Sequence, residues 1–143
     1  MLIQVFLLVL TTMSVAFNSQ KYVAVDAKSQ TRNVENGKTF LILVTIKPVD
    51  GIHVNAAPPL SIKPLVEDAM SGNGLTTLGV KAISKKGDYL DLSKPIQVEC
   101  KVTGINPGLH KINFIVGYTF CSEKEGWCRM GSDTVSVTVK VRK

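Results

Sequence analysis

The chain has 143 residues, of which 45% are hydrophobic, 20% are charged and only 6% are aromatic. This apolar content is enough for one folded domain and too high for a disordered chain. The formal net charge of +6 is spread along the chain without a basic stripe interleaved with aromatic residues. We therefore expect a solvated basic surface and no nucleic-acid interface.

The N-terminal residues have the pattern of an export signal. Residues 2–10 are apolar apart from Gln4, and Ser14 and Ala16 form a small-x-small pattern that allows cleavage after Ala16. The apolar run is shorter than the roughly 20 residues that a membrane-spanning helix needs. A signal peptide over residues 1–16 is therefore favoured over a stable anchor, although no Lys or Arg precedes the run. The predicted location is periplasmic or otherwise extracytoplasmic, where disulfides persist.

Strand patterns follow the signal. Residues 17–37 are mostly polar, with a short apolar alternation from Tyr22 to Val25, and predict a tether or an edge strand. From residue 38, alternation with a period of two between Phe40 and Ile46 predicts a strand with one buried face. A turn from Pro48 to Gly51 and a short strand from Ile52 to Val54 come next.

The middle of the chain has weaker patterns. Pro58, Pro59 and Pro64 exclude a regular helix or a central strand there. Glu67 to Met70 has room for one helical turn at most. A second β run is predicted from Leu78 through Ile83, ending at Lys85-Lys86-Gly87-Asp88.

The C-terminal part has the clearest alternation. Three strands are predicted: one with Ile96, Val98, Cys100 and Val102 on a shared face, one from His110 to Phe120, and one with apolar positions from Val135 to Val141. Five to seven short strands without a long amphipathic helix predict an all-β fold. We expect an immunoglobulin-like two-sheet β-sandwich over residues 38–143.

The three cysteines differ in their surroundings. Cys100 lies between Val98 and Val102 on an apolar face, which predicts a buried, inert thiol. Cys121 ends the long strand, and six residues, four of them polar or charged and one a glycine, separate it from Cys128. Antiparallel strands joined by such a loop can bring two Cβ atoms within the ~4 Å that a disulfide requires.

The residues alone leave open whether a Cys121–Cys128 disulfide is structural or redox-active. The closed loop is short, so the bond stabilises the fold by only about 2.5 kcal/mol in the chain-entropy model. An exposed cross-strand disulfide is also accessible to an attacking thiolate. Lys124 and Arg129 would favour a thiolate nearby, whereas Glu123 and Glu125 would oppose it.

The segment from Tyr118 to Cys128 resembles the redox-active hairpin in the N-terminal periplasmic domain of the DsbD-type transmembrane thiol–disulfide reductases. The resemblance rests on the two cysteines in a polar loop and on the pair Trp127-Cys128, with the Pro107-Gly108 turn upstream and the start Gly51-Ile52-His53 of an early strand. The spacing of six residues departs from the five expected for the family, and the family's capping loop has no secure match.

The resemblance implies an immunoglobulin-like fold and a relay function. Cys121 and Cys128 would form mixed disulfides in turn with a membrane thiol reductase and with exported thioredoxin-fold proteins. Cys128 would bond the downstream partner first, and a separate protein would supply the electrons. Tyr118 and Trp127 are candidate partner contacts, although Trp127 could instead pack over the disulfide.

Two functions therefore remain at this point. The first is a thiol–disulfide exchange domain, a possible oxidoreductase component, that carries electrons between exported proteins. The second is a non-catalytic immunoglobulin-like binding or structural module whose hairpin disulfide rigidifies a loop. His53 and His110 stand alone without metal-ligand spacing, so we expect neither a metal nor a small-molecule cofactor.

Overall fold

The computed structural model describes residues 22–65 and 74–143, and the regular secondary structure in these ranges is entirely β. Val and Ile dominate the strands, because β-branched side chains fit a pleated, half-buried surface. The strands are β1 (Val23–Ser29), β2 (Asn33–Glu35), β3 (Thr39–Pro48), β4 (Ile52–Val54), β5 (Ser61–Pro64), β6 (Leu75–Val80), β7 (Lys85–Lys86), β8 (Tyr89–Leu90), β9 (Ile96–Val102), β10 (Gly108–Ser122) and β11 (Trp127–Arg142).

Two sheets form the sandwich. The first has the strand order β1-β3-β9-β6, and the second has the order β2-β11-β10-β4, with β5 also paired to β10. This arrangement matches the immunoglobulin fold, in which an ABED sheet faces a CFG sheet. Strand β2 pairs in parallel with the end of β11, which adds a strand beside the last one. The predicted immunoglobulin-like two-sheet sandwich is confirmed.

The core lies between the sheets and is formed by the alternating apolar positions of both. The predicted inward faces of β3, β9, β10 and β11 are buried, and they comprise Phe40, Ile42, Val44, Ile46, Ile96, Val98, Cys100, Val102, Ile112, Phe114, Val116, Tyr118, Phe120, Val135, Val137, Val139 and Val141. Period-two alternation predicted these positions because successive side chains of a strand point to opposite faces.

The residues before Phe40 contribute to both sheets. Strand β1 pairs antiparallel with β3 at an edge of the first sheet, and Val23 is fully buried. The side chain of Asn36 joins this region to the turn before β10, because Nδ2 donates to the Ile105 carbonyl (2.7 Å) and Oδ1 accepts from the Ile105 amide (3.0 Å). The predicted signal peptide over residues 1–16 and the helical turn at Glu67–Met70 lie outside the described residues.

The second β run differs from its prediction. Strand β6 ends at Val80, and the register with β9 shifts between Thr77 and Gly79. Gly79 has a φ of 146°, and Leu78 is 51% exposed because this strand is at the sheet edge. The predicted end at Lys85-Lys86-Gly87-Asp88 instead opens the β7–β8 hairpin, whose turn uses the positive φ of Gly87.

The last strand is longer than predicted. Strand β11 begins at Trp127, eight residues before Val135, and pairs with β10 in an unbroken register up to the hairpin loop. The polar residues at its start are accommodated by specific contacts. The buried Tyr118 hydroxyl donates to Asp133 Oδ2 (2.5 Å), and Gly131 leaves room for the Tyr118 ring.

Gly131→Ala should destabilise the protein by about 1–3 kcal/mol, the usual consequence of overpacking a filled site. An added Cβ would lie 2.5 Å from Tyr118 Cε2, and the ring is buried. The matched control is Gly117→Ala on the neighbouring strand, where the new Cβ would lie 3.7 Å from Ser61 Cβ. Urea unfolding should leave the control equal to or slightly more stable than wild type. Equal stability of the two variants would contradict the packing argument.

Candidate functional site: the disulfide hairpin

The tip of the β10–β11 hairpin is built by a short loop. Glu123 to Gly126 connect the strands, and Gly126 adopts a φ of 72° that favours glycine. The Gly126 amide donates to the Ser122 carbonyl (2.9 Å), and the Glu125 amide donates to Ser122 Oγ (3.2 Å). These bonds hold the loop in one conformation directly above the cysteine pair.

The predicted disulfide between Cys121 and Cys128 is confirmed. The two residues are direct partners in the antiparallel register, and their sulfurs are bonded at 2.08 Å. Their Cα atoms are 4.0 Å apart, which indicates a non-hydrogen-bonded pair of the ladder, where side chains approach most closely. The flanking Phe120 points into the core, so both sulfurs lie on the outer face of the second sheet.

The two cysteine residues differ in exposure. Cys121 is 7% exposed, whereas Cys128 is exposed. The reason is their position in the sheet: Cys121 on β10 has β11 on one side and His53 of β4 on the other. Among the described residues, β11 pairs on its other side only with β2, at the distant Lys140–Arg142 end. Cys128 is therefore the more exposed residue of the pair.

Asn55 contacts the buried sulfur. Its Oδ1 lies 3.3 Å from Cys121 Sγ. The backbone amide of Asn55 donates to the Thr119 carbonyl (2.8 Å), and the residue forms an isolated β-bridge with Tyr89. The backbone of Asn55 is thus fixed from both sides. No sequence pattern marked this residue, because it follows a three-residue strand and its contact is 66 residues distant.

The β7–β8 hairpin closes one side of a cleft next to the disulfide. The cleft has a volume of about 530 Å³, and its lining includes both cysteines, Asn55 and Tyr89. The Tyr89 ring stacks on His53, with centroids 4.4 Å apart, and its hydroxyl donates to the Glu123 carboxylate. This bond to Glu123 raises the pKa of Tyr89. Sequence reasoning missed Tyr89 because only tertiary folding places it near the cysteines.

Trp127 braces the hairpin from the core side. Its ring packs edge-on against Tyr22 and Phe120, with centroids 5.1 and 5.8 Å away. The Arg129 guanidinium lies 4.3 Å above the ring, and Nε1 donates to Glu125 Oε2 (2.7 Å). The cysteines point to the opposite face of the sheet, and Trp127 also contributes to the lining of the cleft beside them.

Tyr118 also lies away from the hairpin surface. It is 4% exposed, and its ring is part of the core cluster. The hydroxyl bond to Asp133 satisfies the one polar atom of a side chain that is otherwise packed among apolar residues. Of the four predicted site residues, the structure therefore brings together Cys121 and Cys128 on the outer face and places the two aromatic residues on the inner side.

No group of three or more His, Cys, Asp or Glu side chains within residues 22–65 and 74–143 is arranged to hold a metal ion. The same ranges contain no helix that is both long and apolar enough to cross a membrane.

Comparisons with known proteins do not assign the chain to a family. No protein-family model matches the chain, and no curated protein matches it. Similar solved structures include a ZirS C-terminal domain (TM-score 0.37, 11% identity, 99% of this chain and 80% of that one). A cohesin module from a Clostridium perfringens family 33 glycoside hydrolase has a TM-score of 0.39 and 14% identity over 85% of this chain and 99% of the module. Murine CRIg has a TM-score of 0.36 and 11% identity over 84% of this chain and 99% of the CRIg chain.

The third cysteine has a different environment. Cys100 is fully buried between the sheets, and burial raises the pKa of its thiol to about 12. The thiol therefore stays protonated in the folded protein at neutral and mildly alkaline pH, in agreement with the predicted inert role.

Cys100 should make folding stability fall with increasing pH. The folded thiol binds its proton up to about pH 12, whereas an unfolded thiol loses it above about pH 8.5. This contribution to stability is complete below the pKa of the unfolded thiol. It is lost as the pH rises from that pKa to the pKa of the folded thiol, by up to about 1.4 kcal/mol per pH unit. Urea unfolding of the disulfide-intact protein at several pH values should show this slope, and Cys100→Ala should show a shallower one. Parallel slopes for the two proteins would contradict the assignment.

Proposed function

We propose that this domain exchanges its Cys121–Cys128 disulfide with thiols of other exported proteins, as the resemblance to the N-terminal domain of DsbD-type reductases implies. The single observation that carries the proposal is the unequal exposure of the two cysteine residues: Cys128 is exposed and Cys121 is 7% exposed. Exchange requires one sulfur that a partner can attack and one that leaves and later returns. A sheltered leaving sulfur next to an exposed one meets this requirement.

The hydrophobic core supports the proposal, because its packing does not depend on the Cys121–Cys128 disulfide. The core cluster contains Cys100 but neither member of the disulfide pair. Since the cysteines are only seven positions apart, the bond stabilises the fold by about 2.5 kcal/mol in the chain-entropy model. Opening it therefore leaves the two packed sheets and most of the stability in place.

The chemistry of the proposed relay is two successive thiolate attacks. A thiolate of a partner dithiol attacks Cys128 Sγ and forms a mixed disulfide, and the electron pair of the broken bond goes to Cys121 Sγ, which takes up a proton. The partner's second thiolate then attacks the partner's first cysteine sulfur, which is bonded to Cys128 in the mixed disulfide, and Cys128 leaves as a thiolate. The domain gains two electrons, and the partner leaves as a disulfide. The reverse sequence would reduce the next partner, which we propose is a thioredoxin-fold protein.

A redox titration separates this function from the structural alternative. The purified protein is equilibrated with glutathione or dithiothreitol buffers, and free thiols are trapped and counted under denaturing conditions. We expect a potential above about −250 mV for an exchanging pair, whereas a structural bond in an exported protein has a potential below about −300 mV. A value in the lower range would reject the exchange function and leave a binding or structural module.

Single-cysteine variants test which sulfur meets the partner. Cys121→Ser leaves the exposed Cys128, and Cys128→Ser leaves the buried Cys121. Each is mixed with a thioredoxin-fold protein that carries thionitrobenzoate on its attacking cysteine, and the release of thionitrobenzoate is followed by absorbance. We expect Cys128 to react at least about tenfold faster, equivalent to 1.4 kcal/mol in the barrier. Equal rates, with both variants folded by circular dichroism, would reject the assignment.

A further inference from the structure

The contact between Asn55 and the buried sulfur has a consequence for the reduced protein. In the disulfide, Cys121 Sγ carries no hydrogen, so its 3.3 Å separation from Asn55 Oδ1 is not a hydrogen bond. Reduction gives that sulfur a hydrogen, and a thiol is a weak donor whereas an amide oxygen is an acceptor. Asn55 Oδ1 already lies beside that sulfur in the disulfide form, and the backbone contacts with Thr119 and Tyr89 keep the residue at this position.

We propose that Asn55 is a positioning residue of the exchange, which accepts a hydrogen bond through Oδ1 from the Cys121 thiol of the reduced pair. The inference rests on the proposed function for its role, although the hydrogen bond itself needs no partner. With Cys121 held as a thiol, the thiolate of the reduced pair resides on the exposed Cys128. Asn55 thus adds to the effect of burial, which already disfavours a charge on Cys121.

Other ionisable groups pair with Cys121 in the sheet or line the same cleft and must be accounted for. They come from β4, from the β7–β8 hairpin and from the loop at the tip of the β10–β11 hairpin, and they are His53, Lys85, Asp88, Tyr89 and Glu123. Tyr89 and Glu123 bond to each other, and the His53 ring is stacked on Tyr89. Within residues 22–65 and 74–143, the side-chain atom that lies within hydrogen-bond reach of Cys121 Sγ is Asn55 Oδ1.

The sequence of steps assigns Asn55 a place in the reaction. When the partner's thiolate attacks Cys128, Cys121 leaves with the electron pair and becomes protonated from solvent. Asn55 then accepts from the new S–H group. In the reverse direction the Cys128 thiolate attacks the disulfide of the next partner and displaces one of its thiolates. Cys121 must afterwards give up its proton, lose the bond to Asn55 and attack Cys128 to release that partner.

The first test is the equilibrium between the intact two-cysteine chain and dithiothreitol. Asn55→Ala removes the acceptor of the reduced state, so the equilibrium constant for reduction should fall about twofold to threefold, the low end for one net hydrogen bond because a thiol is a weak donor. Asn55→Asp keeps an acceptor oxygen in place and should restore the wild-type constant or exceed it. The matched control is Asn113→Ala, which removes an amide oxygen that accepts from Ser136 Oγ at a position eight residues along β10 from Cys121 and should have no effect.

The direction in which the equilibrium constant changes shows whether Asn55 accepts from a Cys121 thiol or donates to a Cys121 thiolate. An unchanged or increased constant in Asn55→Ala would overturn the proposal. So would a constant for Asn55→Asp below that of Asn55→Ala, because this would mean that the Asn55 NH₂ group donates to a Cys121 thiolate. The result does not depend on any partner. Exchange with a thioredoxin-fold protein can fail while the equilibrium shift is present, and exchange can succeed while the shift is absent.

The second test follows the pH dependence of Cys121 alkylation in a Cys128→Ala background. Loss of the acceptor should let Cys121 react with iodoacetamide at lower pH in Asn55→Ala, and Asn55→Asp should move the midpoint to higher pH. The same pair in a His53→Phe background removes the imidazole's own titration and keeps an aromatic ring to stack on Tyr89. A midpoint that rises or stays constant in Asn55→Ala would overturn the proposal. If Cys128→Ala does not fold, the dithiothreitol equilibrium decides alone.

Discussion

The unbroken register of the β10–β11 hairpin determines most of what this molecule can do. It runs from the pair Gly108 and Val141 to the pair Ser122 and Trp127. Because side chains alternate between faces, a slip of one residue between the strands would turn the side chains of one strand to the other face, and Cys121 would no longer lie opposite Cys128. The observed register keeps Phe120 in the core and sets Cys121 opposite Cys128 on the outer face. The Tyr118–Asp133 hydrogen bond and the small Gly131 belong to the same register.

Position within the sheet gives the two sulfurs different chemistry. Cys121 is on a strand with neighbours on both sides, and Asn55 lies against its sulfur. Cys128 is on the adjacent strand and is exposed. The disulfide therefore joins an exposed residue to a sheltered one, although its two sulfur atoms are chemically alike.

The cysteines of this chain illustrate how surroundings decide the reactivity of one side-chain type. Cys100 has apolar neighbours on both sides of the sandwich, and burial raises the pKa of its thiol to about 12. It acts as a small hydrophobic residue of the core. The hairpin pair lies outside the core cluster, next to a cleft with polar groups, and only there can a thiolate from solution reach a sulfur.

The amino-acid sequence alone determined the β class, the inward faces of the longest strands and the pairing of Cys121 with Cys128. Each of these depends on local alternation or on a short loop, which are properties of neighbouring residues. The tertiary structure decided the rest. It extended β11 back to Trp127, because pairing with β10 is a contact between distant residues. It also placed Asn55, Tyr89 and His53 beside the disulfide, since that site is assembled from segments far apart in the chain.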